Sequence, residues 1–319
     1  MKYYTPRVRR IQELCPLFPI RFRGYVICES SVLASFAPRW TPENPIFPNL
    51  RILDVSPAND QYPVYYQFFH ILFGPQLRRI SSDCTAFPRM TKDVPEADYQ
   101  QMLARLQESA PYLSHLQLNA DVPPYSPTIV SAMSVAICNF KHLVSVRTGQ
   151  LPITEQAFRH LAMLPHLEVI DVRLPDSITE ASFRRAPLNE IFPSLRELRL
   201  SHLFNLGLIS LVVQHTRSPR LEIVGAELVD NYRPVPFNDA MSLLSTIVSR
   251  NNAEHIKELT IEALIERSTT SAFTQQYLEP LFALKSLTTL KLHLRCTFDL
   301  DDAILGRAAR AWPNIRVLD

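Results

Sequence analysis

The histidine, cysteine and serine residues of this sequence do not fall into the spacings used for metal binding or nucleophilic catalysis. The nine histidines form no HxxxH or HExxH pair, and the five cysteines form no CxxC pair. Zinc sites built from neighbouring ligands need such spacings. No serine stands in the GxSxG elbow that exposes a hydrolase nucleophile. The sequence therefore predicts no catalytic residue, no metal site and no cofactor.

Glycine is too scarce for a nucleotide-binding loop. The chain has six glycines against 26 prolines, and no two glycines stand close enough to form GxG, GxGxxG or GxxxxGK. Loops that cradle phosphates need glycine for close backbone approach and for positive φ. We therefore expect no nucleotide-binding fold. No small-molecule substrate is evident from the sequence either.

Composition and charge describe a chain with ample core and little net charge. Of 319 residues, 46% are hydrophobic, and 33 basic residues stand against 31 acidic ones. This balance argues against nucleic-acid binding, which usually needs a basic surface. The longest uncharged stretch, 122–140, opens with three prolines and is too short to span a bilayer. With no visible signal peptide and an odd number of cysteines, we expect an intracellular protein, cytoplasmic or nuclear, with no membrane segment.

One phrase recurs along the chain about every 31 residues. It reads proline, any residue, an aliphatic anchor, two variable residues, an aliphatic, a variable residue and an aliphatic, as in FPNLRILDV and FPSLRELRL. Counting the anchor as position 1, the aliphatics stand at positions 1, 4 and 6. Eight of the eleven copies have the proline, where chance would place about one. The anchors are Val8, Leu50, Leu77, Leu113, Leu143, Leu167, Leu195, Leu221, Ile256, Leu287 and Ile315.

Each phrase predicts a short strand, and the segments between phrases predict helices. Positions 4 and 6 fall on one face of a strand, whose side chains alternate with period two. A proline then ends each helix, because it lacks an N–H and keeps the preceding residue out of the α region. The expected N-caps are Asp93, Thr154, Thr179, Asn238 and Asp299. The expected helices are Asp98–Leu106, Glu155–Leu164, Ala240–Val248, Phe273–Leu284 and Asp302–Ala311.

Stacked strand–helix units bury what one unit alone leaves exposed. Strands stack at about 4.8 Å and helices at about 8–10 Å, so the helical side must fan outward. We therefore predict a right-handed α/β solenoid with a parallel sheet on the concave face and helices on the convex face. Residues 1–319 would form a single solenoid of about ten or eleven units, with 1–46 as an atypical N-terminal cap and 299–319 as the C-terminal unit. An eight-unit barrel is the competing architecture.

The repeat resembles the leucine-rich repeat of the α/β horseshoe kind. Its Pro-x-Leu-x-x-Leu style and irregular unit lengths are similar to the repeat region of fungal F-box proteins, although the usual Asn or Cys at position nine is absent. The resemblance implies recognition of substrates in a Skp–cullin–F-box ubiquitin ligase. No F-box of LPxEIL type is visible ahead of the repeats. Skp–cullin components are therefore expected partners if an F-box lies upstream of Met1.

Positions 3, 5 and 7 of each phrase are predicted to project from the concave face and to bind a protein partner. Four of them form an arginine stripe, defined as Arg79, Arg147, Arg173 and Arg199. Arginine forks bind carboxylate or phosphate groups, so an acidic or phosphorylated peptide is one expected ligand. The alternative is that Arg173 pairs with Asp171, and Arg199 with Glu197, as solvated ion pairs. The predicted partner-binding residues are Arg79, His115, Gln117, Arg147, Asp171, Arg173, Glu197, Arg199, Glu258 and Lys291.

The predicted function is thus non-enzymatic protein recognition, with the ubiquitin-ligase role as its specific form. A stand-alone scaffold or inhibitor, similar to ribonuclease inhibitor and without a ubiquitin link, is the alternative. Three longer gaps between phrases, 15–46, 84–94 and 230–237, predict insertions that either bind or cap.

Overall fold

The computed structural model describes thirteen stretches of the chain, which fall into two compact units, Met1–Leu164 and Pro165–Asp319. The predicted insertions lie largely outside these residues. So does most of the predicted cap 1–46, and the single solenoid over 1–319 stays a prediction. The described residues are 7–11, 35–41, 43–55, 69–83, 96–119, 126–175, 177–179, 191–202, 205–228, 235–250, 253–264, 272–294 and 296–319.

The first unit contains a parallel sheet whose strands follow one another in chain order. β1 pairs with β2, β2 with β3, β3 with β4 and β4 with β5, each pair parallel. Equivalent phrase positions are opposite one another, since Arg79 is opposite His115 and Gln117 is opposite Arg147. The strands are β1 (Arg10–Ile11), β2 (Ile52–Val55), β3 (Arg79–Asp83), β4 (His115–Asn119) and β5 (Ser145–Pro152).

The second unit repeats this order. Parallel pairs join β6 to β7, β7 to β8, β8 to β9, β9 to β11 and β11 to β13, while β10 and β12 form a separate parallel pair. In the described residues β13 is an edge strand that pairs with β11 alone, so this sheet is open and is not a barrel. The strands are β6 (Val169–Arg173), β7 (Glu197–His202), β8 (Ile223–Leu228), β9 (Glu258–Glu262), β10 (Ala272–Thr274), β11 (Thr289–His293), β12 (Thr297–Asp299) and β13 (Val317–Leu318).

Helices connect successive strands, as parallel pairing requires. Some connections contain a short 3-10 helix in place of an α-helix or next to one. These 3-10 helices are Ala37–Arg39, His70–Leu72, Ala253–His255 and Glu279–Ala283. The α-helices are α1 (Glu96–Ser109), α2 (Pro127–Asn139), α3 (Glu155–Met163), α4 (Leu206–His215), α5 (Phe237–Val248), α6 (Gln275–Leu278) and α7 (Asp302–Ala311).

The aliphatic positions of the repeat form the core between strands and helices. Nine of the eleven anchors are buried, and Val8 and Ile315, on the first and last described rungs, are half-buried. In the nine inner phrases, the described side chains at positions 4 and 6 are buried as well, including Leu116 and Leu198 at 0% exposure. Thr148, which takes an aliphatic place in β5, is satisfied by donating from Oγ1 to the carbonyl of Leu151 at 3.0 Å. The repeat therefore marks the core face of each strand.

The phrase prolines occupy the turn between helix and strand. α1, α3 and α7 each end two residues before the proline. The anchor N–H then donates to the carbonyl of the residue before the proline, as from Leu113 to Ala110 at 3.1 Å. This is a β-turn with proline at its second position, where a fixed φ is favourable. The proline thus both stops the helix and closes the turn.

The backbone carbonyl at position 2 makes a second regular contact, because it accepts hydrogen bonds from N–H groups of the next phrase. The carbonyl of Arg51 accepts from the N–H groups of Arg78 and Arg79 at 2.8 and 3.0 Å, and the carbonyl of Arg78 accepts from Ser114 and His115. The same pattern runs through the second unit, for example from Glu222 and Ile223 to Arg196. Position 2 of successive units is therefore stacked along the N-terminal edge of each sheet.

Of the five predicted helices, α7 has the predicted bounds, α3 ends one residue early, α5 begins three residues early, and α1 extends beyond both predicted ends. The prediction for Phe273–Leu284 is wrong at its start, because Phe273 belongs to β10, and its helical part divides into α6 and a 3-10 turn. Phe273 is fully buried and contacts Phe298 of β12, with ring centroids 5.1 Å apart. That distant pairing, invisible to local periodicity, extends the backbone there. Helices α2 and α4 lie outside the predicted set.

The predicted caps have mixed outcomes. Thr154 caps α3 by accepting from the Ala157 N–H at 3.4 Å. Asn238 and Asp299 are not caps: α5 begins after Pro236 without a side-chain cap, and α7 is capped by Asp301, whose Oδ1 accepts from Ile304 at 2.8 Å. Asp93 lies outside the described residues, as does the segment after Thr179.

Candidate functional site

Each sheet has one face covered by helices and one open face, which carries phrase positions 3, 5 and 7. In β4, His115 and Gln117 are half-buried on the open face, while Leu116 and Leu118 are buried beneath the helices. β9 alternates in the same way, with Glu258, Thr260 and Glu262 on the open side. The predicted partner-binding residues all occupy such positions, which form parallel rows across each sheet.

The first unit brings four of the predicted binding residues onto neighbouring strands. Arg79 and His115 are opposite one another in one row, and Gln117 and Arg147 in the next. Arg79 is 48% exposed, and its Nε lies 3.5 Å from Asp54, a carboxylate that Arg10 also approaches at 3.6 Å. His115 Nδ1 and Ser114 Oγ are 2.9 Å apart. The two arginines offer charged hydrogen-bond donors and Gln117 offers a neutral one. All of them stand on strands whose backbones are hydrogen-bonded to one another in the sheet.

In the second unit, Arg199 is fixed between two carboxylates. Its Nε donates to Glu197 Oε1 at 2.8 Å, and its Nη2 donates to Glu258 Oε1 at 2.6 Å. Burial lowers the pKa of Arg199, but the hydrogen bonds to Glu197 and Glu258 outweigh this effect and hold the pKa above its ordinary value. The alternative interpretation of Arg199 and Glu197 as an ion pair matches this geometry, although the pair lies along one strand rather than across two. Glu258 belongs to the same ionic cluster.

Gly225 makes this contact across β8 possible. β8 separates Arg199 on β7 from Glu258 on β9, and Gly225 is directly opposite Arg199. A Cβ at Gly225 would approach the Arg199 Cγ to 3.1 Å, closer than most carbon contacts allow. The missing side chain therefore leaves a gap through which Arg199 reaches the second strand along.

Three further predicted binding residues, two on β6 and one on β11, differ in how exposed they are. Arg173 is buried, with 6% of its surface exposed, and it is opposite Ser201. Asp171 is half-buried and is opposite Arg199, so the sheet register brings these two residues together. Lys291 is half-buried and opposite Thr260. The arginine stripe therefore divides into Arg79 and Arg147 in one unit and, in the other, buried Arg173 and ion-paired Arg199. Its role in binding remains a prediction.

The C-terminal ends of β8, β9 and β11 form an acidic corner with a histidine. Glu227 is opposite Glu262, and Glu262 is opposite His293. His293 contacts two carboxylates, with Nδ1 3.3 Å from Glu262 and Nε2 3.0 Å from Asp319. The hydrogen bond with Asp319 is the main cause that raises the pKa of His293 above 6.5.

A second row, at position 2 on the N-terminal edge of the sheets, lies outside the predicted set. In the second unit Glu222 binds both of its neighbours, Arg196 Nη2 and Lys257 Nζ, at 3.0 Å each. These contacts lower the pKa of Glu222, with the Lys257 hydrogen bond as the largest cause. The repeat could have indicated this row of charged residues, because position 2 recurs with the same spacing as the anchors.

In the described part of the chain, potential metal ligands do not cluster, and the two described cysteines are partly buried. No three His, Cys, Asp or Glu side chains gather there in a way that would hold a metal ion. Burial raises the pKa of the Cys138 and Cys296 thiols, which disfavours the reactive thiolate. His160, in the last turn of α3, has its Nε2 3.2 Å from the carbonyl of Phe140. Within the described residues, no helix is long and apolar enough to cross a bilayer.

Comparison with known proteins adds little to this geometry. No protein-family model matches the chain, and no curated protein matches its sequence. Among solved structures, an LRR protein of Leptospira interrogans matches with a TM-score of 0.31 and 12% identity, over 88% of this chain and 81% of that one. A likeness this distant carries no argument about function. The leucine-rich-repeat type of fold therefore rests on the repeat and on the parallel strand order.

Proposed function

We propose that this chain is a non-enzymatic module that recognises another protein through the open faces of its sheets. The observation that carries the proposal is the arrangement of half-buried polar side chains in register on neighbouring strands, as for His115, Gln117 and Arg147. Their backbones are held by parallel pairing, and their opposite faces are fully buried. Such rows lose little conformational entropy on binding, which favours recognition of an extended surface.

The predicted binding residues would take different parts in this recognition. Arg79, Arg147 and Lys291 would supply charge to a partner, and His115 and Gln117 would supply hydrogen bonds. Asp171 lies beside the ionic cluster of Glu197, Arg199 and Glu258, which would present one rigid polar surface rather than separate charges. Buried Arg173 would support the strand beneath that surface.

A more specific form of the proposal is substrate selection in an F-box-type ubiquitin ligase of the fungal kind. It is supported by the resemblance of the Pro-x-Leu-x-x-Leu repeat alone. In that form Skp–cullin components would join through an F-box outside this sequence, and the protein would act in the cytoplasm or nucleus. A stable complex that leaves partner turnover unchanged would instead favour the stand-alone scaffold or inhibitor.

The experiment compares partner capture by the wild-type chain with capture by open-face variants. Arg147→Glu in the first unit and Lys291→Glu in the second reverse one half-buried charge each. Glu108→Lys on α1, where the side chain is 54% exposed, is the matched control on the helical side. Cross-linking mass spectrometry on tagged chains identifies the partner and the contacting residues.

Loss of one partner in the open-face variants, with retention in Glu108→Lys, is the expected result. A partner set that is the same for all three variants would contradict recognition through the open face. Recovery of Skp–cullin components with the full-length product tests the ligase role separately, because the recognition proposal does not depend on it.

A further inference from the structure

A row of arginines that has no ion-pair partner among the described residues lies along the N-terminal edge of the first unit. Arg9, Arg51 and Arg78 occupy position 2 of three successive phrases, each directly before a strand (β1, β2 and β3). The carbonyl of Arg9 accepts from the Arg51 N–H at 2.8 Å, and the carbonyl of Arg51 accepts from the Arg78 N–H at 2.8 Å. The three residues are therefore adjacent at the spacing of paired strands, about 4.8 Å. We call them the arginine row.

The second unit shows what this position looks like when its charges are compensated. There the equivalent residues Arg196, Glu222 and Lys257 alternate in sign, and Glu222 bridges both neighbours at 3.0 Å. The arginine row has Arg51 where that sequence has Glu222. Like charges on adjacent strands repel one another, so three neighbouring arginines destabilise the free protein. The same structural position is thus self-neutralised in one unit and purely basic in the other.

The described surroundings of the arginine row are themselves mostly basic. In the turns and strands that hold it (7–11, 49–55 and 75–83), six arginines stand against two aspartates. One of these aspartates, Asp54, is already approached by Arg10 and Arg79. Within the part of the chain that the structure describes, no carboxylate lies within ion-pair distance of Arg9, Arg51 or Arg78. Arg9 and Arg51 are exposed.

Arg78 is held in place by an aromatic side chain. Its guanidinium carbon lies 4.8 Å from the centre of the Tyr112 ring, and its Nη1 donates to the Tyr112 carbonyl at 3.4 Å. The Tyr112 ring is in turn 5.6 Å from the ring of His142. A guanidinium stacked in this way keeps its charge while losing mobility, which lowers the entropic cost of binding an anion.

We propose that the arginine row binds an acidic segment of a protein partner, with carboxylates taking the place that Glu222 fills in the second unit. Charge complementarity selects this occupant: three guanidinium groups in line match a run of carboxylates, and each guanidinium can donate two hydrogen bonds to one carboxylate. The inference rests on the proposed function for the partner to be a protein, and it adds the edge of the sheet to the open face as a contact surface.

The test measures binding of a fluorescein-labelled decaglutamate peptide to the full chain by fluorescence anisotropy. Arg51→Glu recreates in the first unit the alternating charges of Arg196, Glu222 and Lys257. We expect it to reduce peptide affinity about tenfold or more, in line with loss of a charge-assisted hydrogen bond. The same variant should keep or raise the thermal midpoint, because the new carboxylate pairs with Arg9 and Arg78.

The reciprocal variant is the matched control. Glu222→Arg gives the second unit a basic row, and we expect it to gain peptide binding and to lower the thermal midpoint. Lys257→Gln should leave peptide affinity within about twofold of wild type. Opposite changes in affinity and stability separate a binding role of the arginine row from a merely structural one.

Three outcomes would overturn the inference: no binding of decaglutamate by the wild-type chain, equal affinity in Arg51→Glu, or tighter binding of labelled decathymidine DNA with the same dependence on Arg51. The last outcome would identify a nucleic-acid surface instead. These failures are distinguishable from failure of the proposed function, since capture of a partner dependent on Arg147 would persist when the arginine row binds no peptide.

Discussion

Replacement of Arg199 by methionine should destabilise the second unit substantially. The change removes both hydrogen bonds of the guanidinium, to Glu197 at 2.8 Å and to Glu258 at 2.6 Å, and retains most of the apolar stem. Glu197, whose side chain is 12% exposed, would then keep a charge with little access to water. The open face would lose the link that joins β7 to β9 across Gly225.

The size of the effect follows from how exposed each partner is. Glu258 is 28% exposed, so water can replace part of its bond to Arg199 at a cost of about 1 kcal/mol. Glu197 is more enclosed, and loss of its hydrogen bond to a charged partner costs about 1–3 kcal/mol. The free energy of unfolding should therefore fall by about 2–4 kcal/mol.

The assay is urea denaturation followed by circular dichroism, combined with hydrogen exchange of the segments that contain β7, β8 and β9. Arg196→Met is the control, because Arg196 stands directly before β7 and is 51% exposed. Its loss should change the free energy of unfolding by less than about 0.5 kcal/mol. Gly225→Val should lose the Glu258 contact while Glu197 remains bound, with a cost of about 1 kcal/mol. In a double-mutant cycle, Arg199→Met and Glu258→Gln should couple by about 1 kcal/mol.

The reasoning is refuted if Arg199→Met unfolds within about 0.5 kcal/mol of wild type, or if its effect does not exceed that of Arg196→Met. Absence of coupling in the cycle would show that the contact with Glu258 contributes nothing in solution. In either case Arg199 would return to the set of charges available to a partner.

Three further predictions concern the corner, the core and the turns. The pKa of His293 is raised in the folded state. Its contribution to stability should therefore be fully present below about pH 6.5 and be lost as the pH rises through the raised pKa. Urea denaturation from about pH 5 to 9 should show this loss in the wild type and not in His293→Gln. Leu116→Ala should cost about 2–5 kcal/mol because Leu116 is fully buried, whereas Val135→Ala, at a 53% exposed site, should be nearly neutral in the same denaturation assay. Pro111→Ala should lower the free energy of unfolding by about 0.4–1 kcal/mol through greater freedom of the unfolded chain, and a thermal midpoint equal to wild type would contradict its role in the turn.

The periodic sequence by itself determined the repeating unit. Apolar anchors such as Leu113, and the aliphatics at positions 4 and 6, recur because each strand must bury one face against helices, and the structure buries them. The prolines located the turns for the same local reason, since a fixed φ and a missing N–H act on the residues next to them. The alternation of strand and helix then required parallel pairing, which both units show.

The tertiary structure alone decided which charges on the open face are engaged. Whether Arg199 is available to a partner depends on Glu258, 59 residues away, and on the absence of a side chain at Gly225 between them. The burial of Arg173 and the extended backbone at Phe273 depend likewise on strands distant in sequence. Local periodicity carries information about the face a residue occupies, but an electrostatic interaction depends on distance in space, which only the stacking of the strands establishes.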